Sequence, residues 1–387
     1  MQTEAWVLHE GADGAAAQPA ELSREELTIA PLGPQEVLAR PIYGCWEGNM
    51  YHALSRSPID VCRFRGEAKL VPGNAGVVEV LETSRDVTKV RAGDLCIVFP
   101  NASPDRYGYM QRAYAYDAPG TMGILARITR MPEHCVIPIP KGTRHSLRQW
   151  AAFSARYVTA WANWNVSLGC WRTQMTPEDM ASPHVWAWGG GVALAELTLA
   201  ARHGARVAML ASRADRLALL QALGIEAIDR RRFDGLSYDE ARYAEDAEYR
   251  QRYKAAEKAF LSLVSERTGG EGVSIFIDNL GTPVYRATLK ALARQGVITT
   301  CGWRHGMNLA VVRATESIAR HIHVFTHFAR YAEGLAATRW AEEHDWMPPD
   351  EPRGVYAWED IPRLAEDYAE DRVASYFPLY QINPERT

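Results

Sequence analysis

Three consecutive glycines, Gly189-Gly190-Gly191, stand between a short apolar run, His184 to Trp188, and a helical pattern that continues to His203. A strand that runs into glycines and then a helix lets a pyrophosphate approach backbone N–H groups at the positive end of the helix dipole. Such a turn placed after a strand, at the head of a helix and before further strand–helix units reads as a dinucleotide cradle. The close-packing glycine of the usual fingerprint is absent, and Ala193 or Ala195 takes its place, a substitution the third position tolerates. The next apolar run ends in Ala211-Ser212-Arg213, with Arg216 one turn later. An acid there would bind the ribose hydroxyls and repel a 2′-phosphate. A hydroxyl and two guanidiniums favour the phosphate, because the planar arginine fork donates two hydrogen bonds. The expected cofactor is therefore NADPH; the other reading is a solvated helix start with Asp215 as its cap.

The six cysteines (Cys45, Cys62, Cys96, Cys135, Cys170, Cys301) show no CxxC or CxxxxH spacing. No local zinc site is expected, and the thiols read as small hydrophobes in a reduced chain.

The elements that must position these residues fall into two regimes. Before about residue 150 the pattern is short β-type runs bounded by Gly, Pro and Asp, among them Val37-Leu38-Ala39-Arg40, Gly76-Val77-Val78-Glu79-Val80 and Leu95-Cys96-Ile97-Val98. Ser23-Arg24-Glu25-Glu26 matches a capping box, although its flanks do not support a long helix. After residue 150 strands and helices alternate: strand 184–188, helix to 203, strand 206–211, helix 213–223, strand 273–278, helix 284–294 and strand 297–301. That alternation is the signature of a parallel sheet with crossover helices. One segment interrupts it. Ser237-Tyr238-Asp239-Glu240 is a capping box that could open a helix to Arg267, with Asp246/Arg250 and Glu248/Arg252 paired at i,i+4. Most of that helix is expected to be a solvated surface.

The whole-chain arithmetic agrees with a globular protein. The chain has 387 residues, 47% hydrophobic and 23% charged, with Lys+Arg 43 against Asp+Glu 47. A net charge of −4 argues against a nucleic-acid binder that relies on bulk positive charge. No apolar run reaches the roughly 18–20 residues of a membrane span, and Met1-Gln2-Thr3-Glu4 is no signal-peptide start, so a soluble cytoplasmic protein is expected. Only six of the basic residues are lysine, a skew that none of these readings explains.

At this point the chain resembles the zinc-independent medium-chain dehydrogenase/reductase superfamily. Pro34-Gln35-Glu36-Val37-Leu38, Pro72-Gly73-Asn74-Ala75-Gly76-Val77-Val78 and Ala92-Gly93-Asp94 stand at its N-terminal landmarks. Where the zinc alcohol dehydrogenases carry a Gly-His-Glu ligand motif, this chain has Gly73-Asn74-Ala75. Within the superfamily it is most similar to the crotonyl-CoA carboxylase/reductase branch. The similarity lies in Asn49-Met50-Tyr51 followed by Ser57-Pro58-Ile59-Asp60, in Trp188-Gly189, in the long insertion, and in Thr326-His327-Phe328-Ala329-Arg330-Tyr331 with Ala337-Thr338-Arg339. The resemblance implies an α/β architecture. A GroES-like β-rich catalytic domain (1–155 and 326–387) joins a Rossmann, doubly wound parallel-sheet NADP-binding domain (156–325), with a helical insertion at about 230–262.

The resemblance also implies a chemistry. Enzymes of that branch deliver hydride from NADPH to the β-carbon of an enoyl thioester, and the enolate takes carbon dioxide or a proton. Asn49 and His327 would line the site or hold carbon dioxide, and His327 could instead donate a proton. Tyr116-Asp117 is the nearest candidate for the branch's Phe-Glu pair, Ala118-Pro119 being the other alignment. Thr159 and Cys301 join Gly189, Gly190, Gly191, Ser212, Arg213 and Arg216 as cofactor-binding positions. Each of these residues also has a plainer reading, Asn49 as a turn residue and His327 as a satisfied interior histidine. Departures cluster around substrate and cofactor: Trp161 after Thr159-Ala160 for a tyrosine, Asp278-Asn279 for Glu-His, and Val373-Ala374-Ser375-Tyr376 for a C-terminal Gly-Lys. They suggest a diverged member of specialised metabolism. The expected partner is an acyl thioester on CoA or an acyl carrier protein, with a homodimer or homotetramer as the assembly and neither membrane nor nucleic acid involved. Two rivals stand beside it: a reductase of a non-thioester enone, quinone or imine, and a nucleotide-binding protein without redox activity.

Overall fold

The computed structural model describes residues 1–12, 20–173, 175–176, 178, 182–302, 306 and 310–386. They form two compact units, one of Met1–Val158 with Ala329–Thr387 and the other of Thr159–Phe328.

The first unit is β-rich and its sheets are antiparallel. A six-stranded sheet runs in the order Val136–Pro138, Leu95–Val98, Gly76–Thr83, Glu36–Cys45 and Leu379–Gln381, with Thr129–Pro132 also pairing to Glu36–Cys45. The long strand Glu36–Cys45 contains Pro41, which has no N–H to give to a ladder. The register accordingly shifts between Pro41 and Tyr43. Just before the shift, Arg40 faces Glu79 on the neighbouring strand and pairs with it at 2.9 Å. The segment beginning Ser23-Arg24-Glu25-Glu26 is a strand, Ser23–Thr28, paired to Gln2–His9. Asp60 ends the Ser57-Pro58-Ile59-Asp60 stretch as a helix cap, accepting from the N–H groups of Cys62 (3.0 Å) and Arg63 (3.2 Å). The core gathers Val37, Val78, Val98 and Met131 from four strands and Ile124 and Leu125 from the segment before Thr129.

The second unit is a six-stranded, wholly parallel sheet. Its order is Glu226–Asp229, Arg206–Ala211, His184–Trp188, Val273–Ile277, Leu292–Thr299 and His323–Phe325. The first strand in sequence lies in the middle, and the order reverses beside it. This is the doubly wound arrangement whose crevice opens at the carboxyl ends of the strands.

The insertion differs from expectation in two ways. It is two helices, Glu240–Glu245 and Ala247–Thr268, because two aspartates cap in succession. Asp239 accepts from Arg242 N–H and Asp246 from Tyr249 N–H, each at 2.9 Å, so Asp246 serves as a cap. The longer helix is also not a solvated appendage. It buries Tyr249, Tyr253, Ala256, Phe260, Leu263 and Val264 along one stripe. The Phe260 ring lies 5.3 Å from that of Trp188 and 5.5 Å from that of Phe233. It therefore packs as a crossover helix between the strands Glu226–Asp229 and Val273–Ile277, and it ends at Thr268, one residue past the Arg267 read from the sequence.

Candidate functional site

In the parallel-sheet unit, candidate residues from four segments follow the carboxyl ends of strands. Gly189 follows the strand His184–Trp188, and the helix Gly191–Arg202 starts two residues later. Its N-cap is Gly190, at φ 148° with no side chain to cap the helix. A Cβ built on Gly190 would meet nothing within 4 Å. The first N–H groups of the helix therefore lack a side-chain cap beside a turn with open space above it, which fits a pyrophosphate. Both alanines that could replace the missing glycine, Ala193 and Ala195, are wholly buried.

Ser212 and Arg213 follow the strand Arg206–Ala211, and Arg213 is the N-cap of the helix Ala214–Ala222. Its guanidinium forks Asp215, with Nε 3.1 Å from Oδ1 and Nη2 2.9 Å from Oδ2. That bond to Arg213 is the main reason the Asp215 carboxyl lies below its ordinary range. Asp215 thus orients Arg213 and offsets part of its charge, while its Oδ1 also accepts from Arg216 N–H at 2.8 Å. Thr159 lies half-buried on the long helix Leu147–Arg172. Cys301 follows the strand Leu292–Thr299, and its N–H donates to Asn279 Oδ1 at 2.9 Å. Its thiol is 3.4 Å from the same oxygen. His327 is 9% exposed, two residues past the strand His323–Phe325.

Behind the glycine turn lies a polar chain that sequence reading did not single out. Trp188 Nε1–H donates to Thr288 Oγ1 at 2.8 Å, and the Thr288 hydroxyl donates to Asp278 Oδ2 at 2.9 Å. Asp278 Oδ1 accepts from the N–H groups of Leu280 and Gly281, both at 3.0 Å. Burial nevertheless raises the Asp278 carboxyl, outweighing those bonds. Glu196 is the second such group. It is wholly buried on the glycine-turn helix, neither carboxyl oxygen has a hydrogen-bond partner among the described residues, and burial pushes its carboxyl well up.

In the β-rich unit, the segment from Gly44 to Asn49 gathers several buried polar groups. Asn49 is in the first turn of the helix Gly48–Ser55, and its Oδ1 is buried without a hydrogen-bond partner among the described residues. Beside it in sequence, Trp46 Nε1 and Glu47 Oε1 share that condition, as does the Tyr380 hydroxyl. Such atoms carry a desolvation cost unless a ligand or water completes them. Tyr380 meets Trp46 edge-on at 6.3 Å between ring centroids. Its ring also lies close against Gly44, where a Cβ would stand 2.1 Å from Cζ. Glu47 is held by Arg156, Nε to Oε2 at 3.2 Å. Arg156 also donates to the carbonyls of Tyr376 (2.8 Å) and Trp46 (2.6 Å) and to Cys45 Sγ (3.2 Å). Burial pushes the Glu47 carboxyl up despite the Arg156 charge, and it pushes the Cys45 thiol far up. Cys45 is therefore a thiol and Glu47 holds its proton more tightly than an ordinary glutamate. Glu47 and Arg156 are 109 positions apart, and no local spacing announces them.

Tyr116 and Asp117 lie in the same unit at a turn after the strand Met110–Ala113. Asp117 Oδ1 accepts from Ala113 N–H at 2.6 Å, so the carboxylate closes its own turn. Burial pushes the Tyr116 phenol up to about 12.

No family model matches the chain. The crotonyl-CoA reductase of Streptomyces collinus is 26% identical over 156 residues, which is 40% of this chain and 33% of that protein. The matched stretch spans about a third of that relative's length. Among solved structures, crotonyl-CoA carboxylase/reductase AntE in complex with NADP is 21% identical, with a TM-score of 0.80 over 100% of this chain and 96% of that one. The 2-octenoyl-CoA carboxylase reductase CinF, in complex with NADP and 2-octenoyl-CoA, is 19% identical, with a TM-score of 0.79 over 100% and 89%. A thermostable alcohol dehydrogenase from Pyrobaculum aerophilum reaches 0.70 at 18% identity, over 98% and 100%. The chain has the fold these proteins share, that of the medium-chain dehydrogenases/reductases, with a GroES-like β-rich part and a Rossmann part.

Proposed function

We propose that the protein is an NADPH-dependent reductase of a 2-enoyl thioester whose acyl group is carried on coenzyme A or a carrier protein. The observation that carries this reading is the open, uncapped glycine turn at the carboxyl edge of the parallel sheet, with Ser212 and Arg213 rather than an acid at the end of the next strand. The likeness in fold to AntE and CinF, proteins crystallised with NADP and in one case with 2-octenoyl-CoA, supports the substrate class.

In this reading the N–H groups at Gly190 and Gly191 bind the pyrophosphate, and Ser212 and Arg213 bind the 2′-phosphate. The bound cofactor supplies a hydride to the β-carbon of the enoyl group. Asn279 fixes Cys301 at the same edge, and His327 lines it. In the β-rich unit Asn49 offers an acceptor with no partner among the described residues, and the neighbouring Glu47, paired with Arg156, holds a proton more tightly than an ordinary glutamate. Asp117 is bound to its own turn, which favours capture of the enolate by a proton over capture by carbon dioxide.

The test is loss of NADPH absorbance on mixing with a panel of enoyl-CoA thioesters, with product masses compared with and without bicarbonate. Oxidation with an unchanged product mass is expected. A broad thioester panel that never oxidises NADPH removes the reading, and oxidation by enones or quinones alone replaces the substrate class. A bicarbonate-dependent mass gain would overturn the assignment of the proton as electrophile.

A further inference from the structure

Beyond that reading, we propose that the groove between the insertion helix Ala247–Thr268 and the helix Thr282–Ala291 is a binding site for a multiply charged phosphate group. The cavity there is about 540 Å³ and lies wholly within the parallel-sheet unit. That is within the size range of sites for small metabolites, roughly 300–1,000 Å³. Lys254, Lys258 and Ser262 line one side at i, i+4 and i+8, the spacing of a single helix face. Arg286 and Lys290, again four apart, line the other. Four cations therefore surround one carboxylate, Glu257, in a chain whose net charge is −4.

The groove is built rather than incidental. Glu257, with its side chain 10% exposed, binds Lys290 at 2.5 Å and lies 3.8 Å from Arg286. Tyr253 donates its hydroxyl to Glu257 Oε1 at 3.1 Å. The Arg286 guanidinium also lies over the rings of Tyr238 and Tyr243, 4.9 Å from each centroid. Two of the four cations are thus oriented before any ligand arrives. Lys254 and Lys258 are the other two, both exposed. Like charges four residues apart on a helix repel, an arrangement that an anion lying between the two helices would relieve.

The choice of residue points the same way. Only six of the 43 basic residues in the chain are lysines, and three of those six, Lys254, Lys258 and Lys290, line this one groove. A lysine ammonium is a compact point charge that serves phosphate without demanding one planar geometry. Serine hydroxyls at 262 and 265 add neutral donors, and Leu261 is the one aliphatic residue in the lining. The Tyr243 ring and the alkyl stems of the lysines add apolar surface, while the four cations and the two hydroxyls supply charge and donors for the phosphate end of a nucleotide or a free polyphosphate.

The test is isothermal titration of the full chain with inorganic pyrophosphate and with adenosine 3′,5′-bisphosphate, beside a Lys254→Ala/Lys258→Ala double variant. Both substitutions are on an exposed helix face, and circular dichroism checks that the variant is folded. The expected result is a dissociation constant that weakens at least tenfold in the double variant and recovers to within about threefold in Lys254→Arg/Lys258→Arg. Bisphosphate binding more than tenfold tighter than pyrophosphate assigns a nucleotide as the source, and equal binding assigns a bare polyphosphate. Absence of binding by either probe overturns the proposal. Equal binding to the wild type and the double variant also overturns it, because the probe would then be at the glycine turn or elsewhere. Neither readout requires enoyl reduction, so failure of the proposed activity leaves this test intact.

Discussion

Thr288→Val keeps the side chain's shape and removes the one oxygen that links the glycine-turn strand to Asp278. Trp188 Nε1–H then loses its acceptor and Asp278 Oδ2 loses a donor, both in the interior. A buried donor left unsatisfied costs about 1–3 kcal/mol, and a lost bond to a charged acceptor about 1.5–3 kcal/mol. The sum is about 2.5–6 kcal/mol. In a unit the size of Thr159–Phe328, each kcal/mol lowers the melting temperature by about 2–4 °C, so a fall of about 5 °C or more is expected. The pH dependence has a definite sign. The Asp278 carboxyl is raised in the folded chain by burial, so the stability it contributes is present below the ordinary aspartate range and lost as pH rises through the folded value. Removing the Thr288 donor raises that value further. The variant's deficit is therefore larger at pH 8 than at pH 5. Differential scanning calorimetry at both pH values measures it, with Thr288→Ser as the control that keeps the hydroxyl. A Thr288→Val transition within about 2 °C of wild type at pH 8, or a deficit identical at both pH values, would refute the reasoning.

Tyr380→Phe removes a buried hydroxyl that has no hydrogen-bond partner among the described residues. Thermal melting should show no loss of stability, whereas Gly44→Ala, which drives a Cβ into the Tyr380 ring, should cost about 1–3 kcal/mol or more. Glu196→Gln removes a buried, unpartnered carboxyl whose value in the folded chain is raised by burial. The wild type loses stability as pH rises through that value, so the variant should melt higher than wild type at pH 8 with the gap closing toward pH 4. A constant gap would count against the assignment. Arg213→Ala should raise KM for NADPH about tenfold or more, the equivalent of one charge-assisted bond of about 1.5–3 kcal/mol, with KM for NADH unchanged. Asp215→Asn should lower KM for NADPH by releasing the Arg213 guanidinium, and steady-state kinetics with both cofactors reads both variants.

What was legible in the chain was what repeats or adjoins. The alternation after residue 150 is local, so the strands His184–Trp188 and Arg206–Ala211 and the glycine turn between them could be read directly. The insertion was legible as helix but not as core. Its strongly charged exposed face masks the stripe from Tyr249 to Val264, and the break at Asp246 depends on a cap that competes with an equally good i,i+4 pair with Arg250. What could not be read was what joins distant segments. Trp188 and Thr288 are 100 positions apart, and Glu47 with Arg156 is a pair of the same kind. No local spacing links the two partners of such a pair, because the energetic reason for each is the burial of the other. The lysine skew shows both halves at once. A count exposes it, but the count has no location until two helices from opposite sides of the strand Val273–Ile277 in sequence bring Lys254, Lys258 and Lys290 to one groove. Composition becomes chemistry there only because the insertion packs against the sheet through Phe260, so that the charged face of the same helix must lie where it does.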